Sequence, residues 1–265
     1  MMQSAFDRER SGTGTKEWAE RTENIQRGCR NDCLYCYAAA MAHRFRLRER
    51  SEWALEELTQ KAQVRMYPKR KGVVMFPSAH DVTPFNTDAF ISAAKVMLAA
   101  GNRLLVVTKP DRGCMRQVMN ALEPWKDNLH LRFTIGAIDP YLTHFWEPGA
   151  PHPLERLDTL ADASGRGFAV SVSIEPMLAG VDETLRVVEN VLPWSPETVW
   201  IGKMNKVRAR VPQCKGKVRA AIERIEAQQS DGEILRLVEA LDEVPQVRWK
   251  DSIVEVAERC GKDAS

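Results

Sequence analysis

Six short apolar runs, each bounded by turn residues and separated from the next by a stretch of helical periodicity, constrain this chain most. Strands are expected over 73–76, 104–107, 131–136, 168–174, 199–202 and 247–250. Val73-Val74-Met75-Phe76, between Gly72 and Pro77, reads as a strand buried on both faces. Helices are expected over 87–100, 114–122, 154–164, 183–191, 217–228, 233–240 and 253–259. Alternating strands and helices predict an α/β fold with a parallel sheet and right-handed crossovers. A short strand over 23–27, a helix from residue 38 and an amphipathic helix over 53–64 complete the N-terminal part. Residues 1–22 are polar and are expected to be a flexible lead-in, with 23–265 forming one domain. That length is one α/β barrels reach without dividing.

Ahead of the first long run lies Cys29-Arg30-Asn31-Asp32-Cys33-Leu34-Tyr35-Cys36, a C-x3-C-x2-C spacing with an aromatic residue before the last cysteine. Such a loop is short enough to hold three thiolates around one metal centre. Iron–sulfur clusters usually take four cysteines, so three leave a 4Fe–4S cluster with one iron open to a small chelating ligand. A structural zinc site would close its tetrahedron with a second ligand pair. Cys114, Cys214 and Cys260 stand alone and supply none. A disulfide reading would need an exported chain, and three unligated thiols are the bland alternative.

The N-terminus has no apolar signal-peptide core and no run approaches a membrane span, so a cytoplasmic protein with no membrane partner is expected. A net charge of +2 neither demands nor excludes a polyanionic partner.

The cysteine spacing resembles the cluster motif of the radical SAM superfamily, whose open iron binds S-adenosylmethionine. That resemblance implies a partial (β/α)6 TIM-type barrel of parallel strands, a 4Fe–4S cluster and S-adenosylmethionine as cofactors, and an electron donor of the flavodoxin or ferredoxin type. It also implies reductive cleavage of the cofactor to a 5′-deoxyadenosyl radical that abstracts a hydrogen atom from a substrate. Barrels of this kind work at the C-terminal ends of their strands.

After the 73–76 strand, Ser78, Asp81 and Pro84 replace the superfamily's common Gly-Gly-Glu and resemble a variant in spore photoproduct lyase-like proteins. Ser78 and Asp81 are then candidates for the cofactor's amino group, or Asp81 is simply a turn former. Thr108-Lys109 resembles the lyase-like ending of the strand that 104–107 forms here, making Lys109 a candidate for the cofactor carboxylate. Thr134 takes the place of a serine near that carboxylate. The segment from Glu147 to Leu157 resembles the lyase-like E-P-x-A-P-x-P-x-x-R-L. Glu147 and Arg156 are therefore cofactor candidates, or a pair that holds their own loop. Ser173-Ile174-Glu175-Pro176 resembles a phage-associated radical SAM family of unknown function, and Glu175 on an apolar strand needs a partner or a task. Lys203, Asn205, Lys250 and Asp251 are expected to complete a polar ring at the barrel mouth.

Likeness to spore photoproduct lyases implies a nucleic acid or nucleotide substrate, with modification or repair as the outcome. Basic patches at 44–50, 69–71 and 203–210, the last with Lys215 and Lys217, agree with phosphate contacts, although a solvated helix end explains the first as well. Those lyases carry a hydrogen-donor cysteine that has no counterpart between Cys36 and Cys114, so repair of the spore photoproduct itself is not expected. A separately encoded partner protein stays open. So do modification of a peptide and a non-catalytic iron–sulfur binding or regulatory module.

Overall fold

The computed structural model describes residues 14–63, 65–211 and 216–261. Seven strands form one all-parallel sheet in the order β1-β4-β5-β6-β7-β8-β9. They are β1 (Arg21–Thr22), β4 (Val73–Met75), β5 (Arg103–Thr108), β6 (Leu129–Thr134), β7 (Ala169–Ile174), β8 (Val199–Ile201) and β9 (Val247–Trp249). β2 (Gln26–Arg27) and β3 (Glu57–Leu58) pair antiparallel beside it. β1 and β9 do not meet, so the expected partial barrel is what forms.

From β4 onward, every pair of neighbouring strands is joined by helix. The helices are α2 (Thr87–Ala99), α3 (Arg112–Leu122), α4 (Pro140–Trp146), α5 (Pro153–Gly165), α6 (Val181–Val191), α7 (Val207–Arg210), α8 (Gly216–Gln228), α9 (Asp231–Leu241) and α10 (Asp251–Arg259), with α1 (Tyr37–Arg44) ahead of them. Strand side chains such as Leu104, Val106, Leu131, Phe133 and Val172 are fully buried against the helices. Each such burial stabilises by about 1.5–3 kcal/mol. Phe76 stacks on Phe90 at 4.6 Å, locking α2 to the end of β4. Gly101, at φ +80°, closes α2, and the Gly101 and Asn102 amides cap its last turn. No helix of the described residues is long and apolar enough to cross a membrane.

Two expectations change. The amphipathic helix over 53–64 is replaced by short 3-10 turns around β3. Its Trp53 and Leu55 carbonyls accept instead from the Cys29 amide and the Arg48 guanidinium, so they are unavailable to a helix. Of the lead-in, residues 1–13 lie outside the described residues. Gly14–Glu17 forms a 3-10 turn, Trp18 is buried, and Arg21–Thr22 joins the sheet as an edge strand. α4, not foreseen, starts on Pro140 with Asp139 as its N-cap.

Candidate active site

The cysteine loop is shaped by what presses on it from two sides. A Cβ on Gly28 would lie 2.0 Å from the Leu55 carbonyl oxygen, and one on Gly149 would lie 2.1 Å from that of Arg30. Both approaches require glycine. The Cys29 amide bonds to Trp53, the Leu34 amide to Trp146 and the Gly149 amide to Asn31, at 2.8, 2.9 and 3.1 Å. Arg50 pairs with the Asp32 carboxylate and donates to the Cys33 carbonyl at 3.0 Å. Arg48 pairs with Glu57 at 2.5 Å. Arg50 of the 44–50 patch thus braces the loop directly, and Arg48 holds the 55–57 segment whose Leu55 carbonyl crowds Gly28. Cys36 caps α1, its sulfur accepting from the Ala39 amide at 3.4 Å.

Cys29, Cys33 and Cys36 all line one cavity of about 450 Å³ at the C-terminal ends of the strands. Ser78, Asp81, Lys109, Thr134 and Glu175 line it too. Asp81 is the hub. One carboxylate oxygen accepts from the Thr108 hydroxyl (3.0 Å) and the Lys109 amide (2.7 Å). The other accepts from Asn31 (2.9 Å) and faces the Lys109 ammonium at 3.7 Å and the Cys29 sulfur at 3.9 Å. Burial alone would raise the Asp81 carboxyl, but Lys109 and these donors outweigh it and hold its pKa below the usual value. Burial likewise opposes the Lys109 charge, and Asp81 with Cys33 and Glu147 reverses the balance, so the lysine stays cationic. Burial pushes the Cys33 thiol up to about 12 and raises Cys29 and Cys36 as well. Such thiols ionise only when a cationic group compensates, as a metal cluster does. Among the described residues no three Cys, His, Asp or Glu groups converge on a single-ion site.

Behind the loop, Glu147 and Arg156 pair at 2.5 Å with both side chains fully buried. Tyr35 donates to Glu147, and Arg156 donates to the Pro151 carbonyl at 2.8 Å and the Thr134 carbonyl at 3.3 Å. This network ties the cysteine loop to β6 and α5, and neither charge lines the cavity. Lys203 and Asn205 also lie off the cavity. The Lys203 amide bonds to Ser252, and burial lowers its ammonium pKa despite Asp231 nearby. Lys250 does not face the mouth. It is fully buried, 2.8 Å from Glu17, 3.5 Å from Glu175 and 4.2 Å from the Trp18 ring centre. Burial raises the Glu175 carboxyl, with Lys250 offsetting part of the rise.

No family model matches the chain. An uncharacterized protein of Acidianus two-tailed virus is 24% identical over 168 residues, which is 58% of this chain and 54% of that protein. The match therefore spans about half the length of the viral relative. A spore photoproduct lyase variant with a dinucleoside spore photoproduct superposes with a TM-score of 0.54 at 13% identity, covering 91% of this chain and 78% of that one. Streptococcus suis SuiB bound to precursor peptide SuiA gives 0.54 at 9% identity, over 86% of this chain and 48% of SuiB. The chain shares the partial-barrel fold of these two solved proteins.

Several residues that line the cavity were not among the candidates drawn from the sequence. Gly14, Thr15 and Trp18 come from the expected lead-in, and Tyr37 and Arg210 from α1 and α7. The tryptophan in a polar stretch was the available signal for the first group; Arg210 belongs to a basic patch noted in the sequence, and Tyr37 had no signal. Cys114 is buried in α3 and does not line the cavity, Cys260 is exposed, and Cys214 lies outside the described residues.

Proposed function

We propose that this protein is a radical SAM enzyme whose Cys29, Cys33 and Cys36 hold a 4Fe–4S cluster with S-adenosylmethionine on its open iron. The observation that supports it is the convergence of three thiols, Asp81 and Lys109 on one cavity at the strand ends. When bound, this pair of cofactors supplies a 5′-deoxyadenosyl radical for hydrogen abstraction. The chain's residues position and shield it. Lys109 offers its remaining donors to the cofactor carboxylate. Asp81, with both oxygens engaged, orients Lys109 and Asn31. The Ser78 and Thr134 hydroxyls would hold the methionine moiety, and Glu175, which lines the same cavity, would accept from the cofactor's hydroxyls. Glu147 and Arg156 act from behind the cavity, through Tyr35 and the Thr134 carbonyl, and Lys203 and Asn205 lie off the cavity.

The substrate in this reading is a nucleic acid or nucleotide. Tyr37, Met41 and Phe45 are exposed at four-residue spacing along α1 and its cap. Tyr37 lines the cavity, Arg44 lies 5.9 Å from the Phe45 ring centre, and Arg210 is on the cavity wall. Aromatic faces interleaved with guanidinium groups suit stacked bases and a phosphate chain. The SuiB likeness favours a peptide as the competing substrate. Salt-sensitive binding of a single-stranded oligonucleotide separates the two.

Anaerobic cluster reconstitution followed by dithionite and S-adenosylmethionine tests the chemistry. The expected result is 5′-deoxyadenosine, absent in Cys33→Ala. A loaded cluster with no cleavage, with or without oligonucleotide, would overturn the enzyme reading.

A further inference from the structure

A second cavity, of about 470 Å³, lies between α4 and α8 on the outside of the barrel. We infer that it is the docking site of an acidic one-electron carrier protein that reduces the cluster, an inference that rests on the proposed radical SAM activity.

Position is the first reason. Leu142, Phe145, Trp146, Ala221 and Ile225 line the groove; Trp146 and Ile225 belong to the buried apolar cluster that contains Cys33, and the other three pack against it. The Trp146 carbonyl takes the Leu34 amide directly, so one packed layer separates the groove floor from the cysteine loop. The opposite side of the loop opens into the cavity assigned to cofactor and substrate, which a carrier protein would block.

Charge is the second reason. The groove carries Lys217, Arg224 and Asp139. Asp139 is engaged as the N-cap of α4, accepting from the Tyr141 and Leu142 amides. Neighbouring acids on α8 are matched, Glu223 by Arg219 at 2.9 Å and Glu226 by Arg208 at 2.5 Å. Lys217 and Arg224 are exposed, and among the described residues no ion pair engages them. A basic rim around an apolar floor, with Tyr141 86% exposed at its edge, selects an acidic partner with an apolar centre. In the transfer the carrier loses one electron and the cluster held by the three cysteines gains it. No bond or proton moves.

The test uses the full-length, anaerobically reconstituted protein with a flavodoxin and a 2Fe–2S ferredoxin as probes. Binding of each oxidised carrier is measured by calorimetry at several salt concentrations. A groove variant, Lys217→Glu with Arg224→Glu, is compared with Lys95→Glu with Arg116→Glu, an equal charge change on α2 and α3. The groove variant should weaken binding by about tenfold or more at low salt, and the control far less. Tyr141→Ala should weaken it roughly fivefold or more without changing the salt slope. Dithionite-driven 5′-deoxyadenosine formation should be unchanged in all three. Equal losses in both charge variants, failure of either carrier to bind wild type, or a groove-dependent dimer on sedimentation would each overturn the docking site. Failure of dithionite-driven cleavage in wild type would strike the enzymatic reading, whereas the binding comparison reads the groove independently.

Discussion

Glu147 and Arg156 show how one residue type serves two ends in this site. Both lie in a segment that resembles a cofactor-contacting one, yet they are buried against each other and away from the cavity. Arg156→Met strands the Glu147 carboxylate in the interior and should cost roughly 3–5 kcal/mol in urea unfolding. Adding Glu147→Gln should recover much of it; no recovery would mean the arginine acts through packing alone. Lys109 faces the cavity, so Lys109→Met should leave bound iron unchanged and weaken S-adenosylmethionine binding by about tenfold or more in equilibrium dialysis. Equal affinity would remove Lys109 from the cofactor site. From sequence these two basic residues looked equivalent. Burial and partner geometry separate them.

The cysteine loop is an element with almost no secondary structure of its own. It is held by the 48–55 turns on one side and by the 146–149 segment after α4 on the other. Gly149→Ala forces a Cβ against the Arg30 carbonyl. The strain should cost about 1–3 kcal/mol and reduce iron and sulfide bound on reconstitution. Full iron content together with wild-type melting would show that the two segments do not set the loop. The same contacts explain why 53–64 is not a helix: its apolar spacing suits one, but its carbonyls and Trp53 are used by the loop. Periodicity reports which side chains are buried, and here the burial is against a loop distant in sequence.

At the scale of the whole molecule, a buried imidazole lies at the starts of the strands, away from the cavity at their C-terminal ends. His130, near the start of β6, bonds to Ser171 at 2.7 Å. Burial, with Arg132 nearby, holds its imidazole pKa well below the usual 6.5. A depressed histidine pKa contributes stability above the unfolded value that is lost as pH falls through and below it. Unfolding free energy should therefore decline from about pH 7 to about pH 5, with a shallower slope in His130→Gln. An unchanged slope would place the acid sensitivity elsewhere. The alternation of apolar runs and helices was sufficient to determine a parallel α/β sheet, because burial on both faces and a helical return leave little else for such runs to do. The three-cysteine spacing and the lyase-like segments likewise pointed to Lys109, Asp81 and the cavity they line. Only the tertiary structure decided that Trp18 and Glu17 close the barrel interior, that Lys250 lies buried between Glu17 and Glu175, and that α4 and α8 enclose a groove. Those arrangements join segments up to 236 residues apart, as between Gly14 and Lys250. Local pattern records each residue's exposure but not its partner, and partners at that separation are chosen by the packing of the complete barrel.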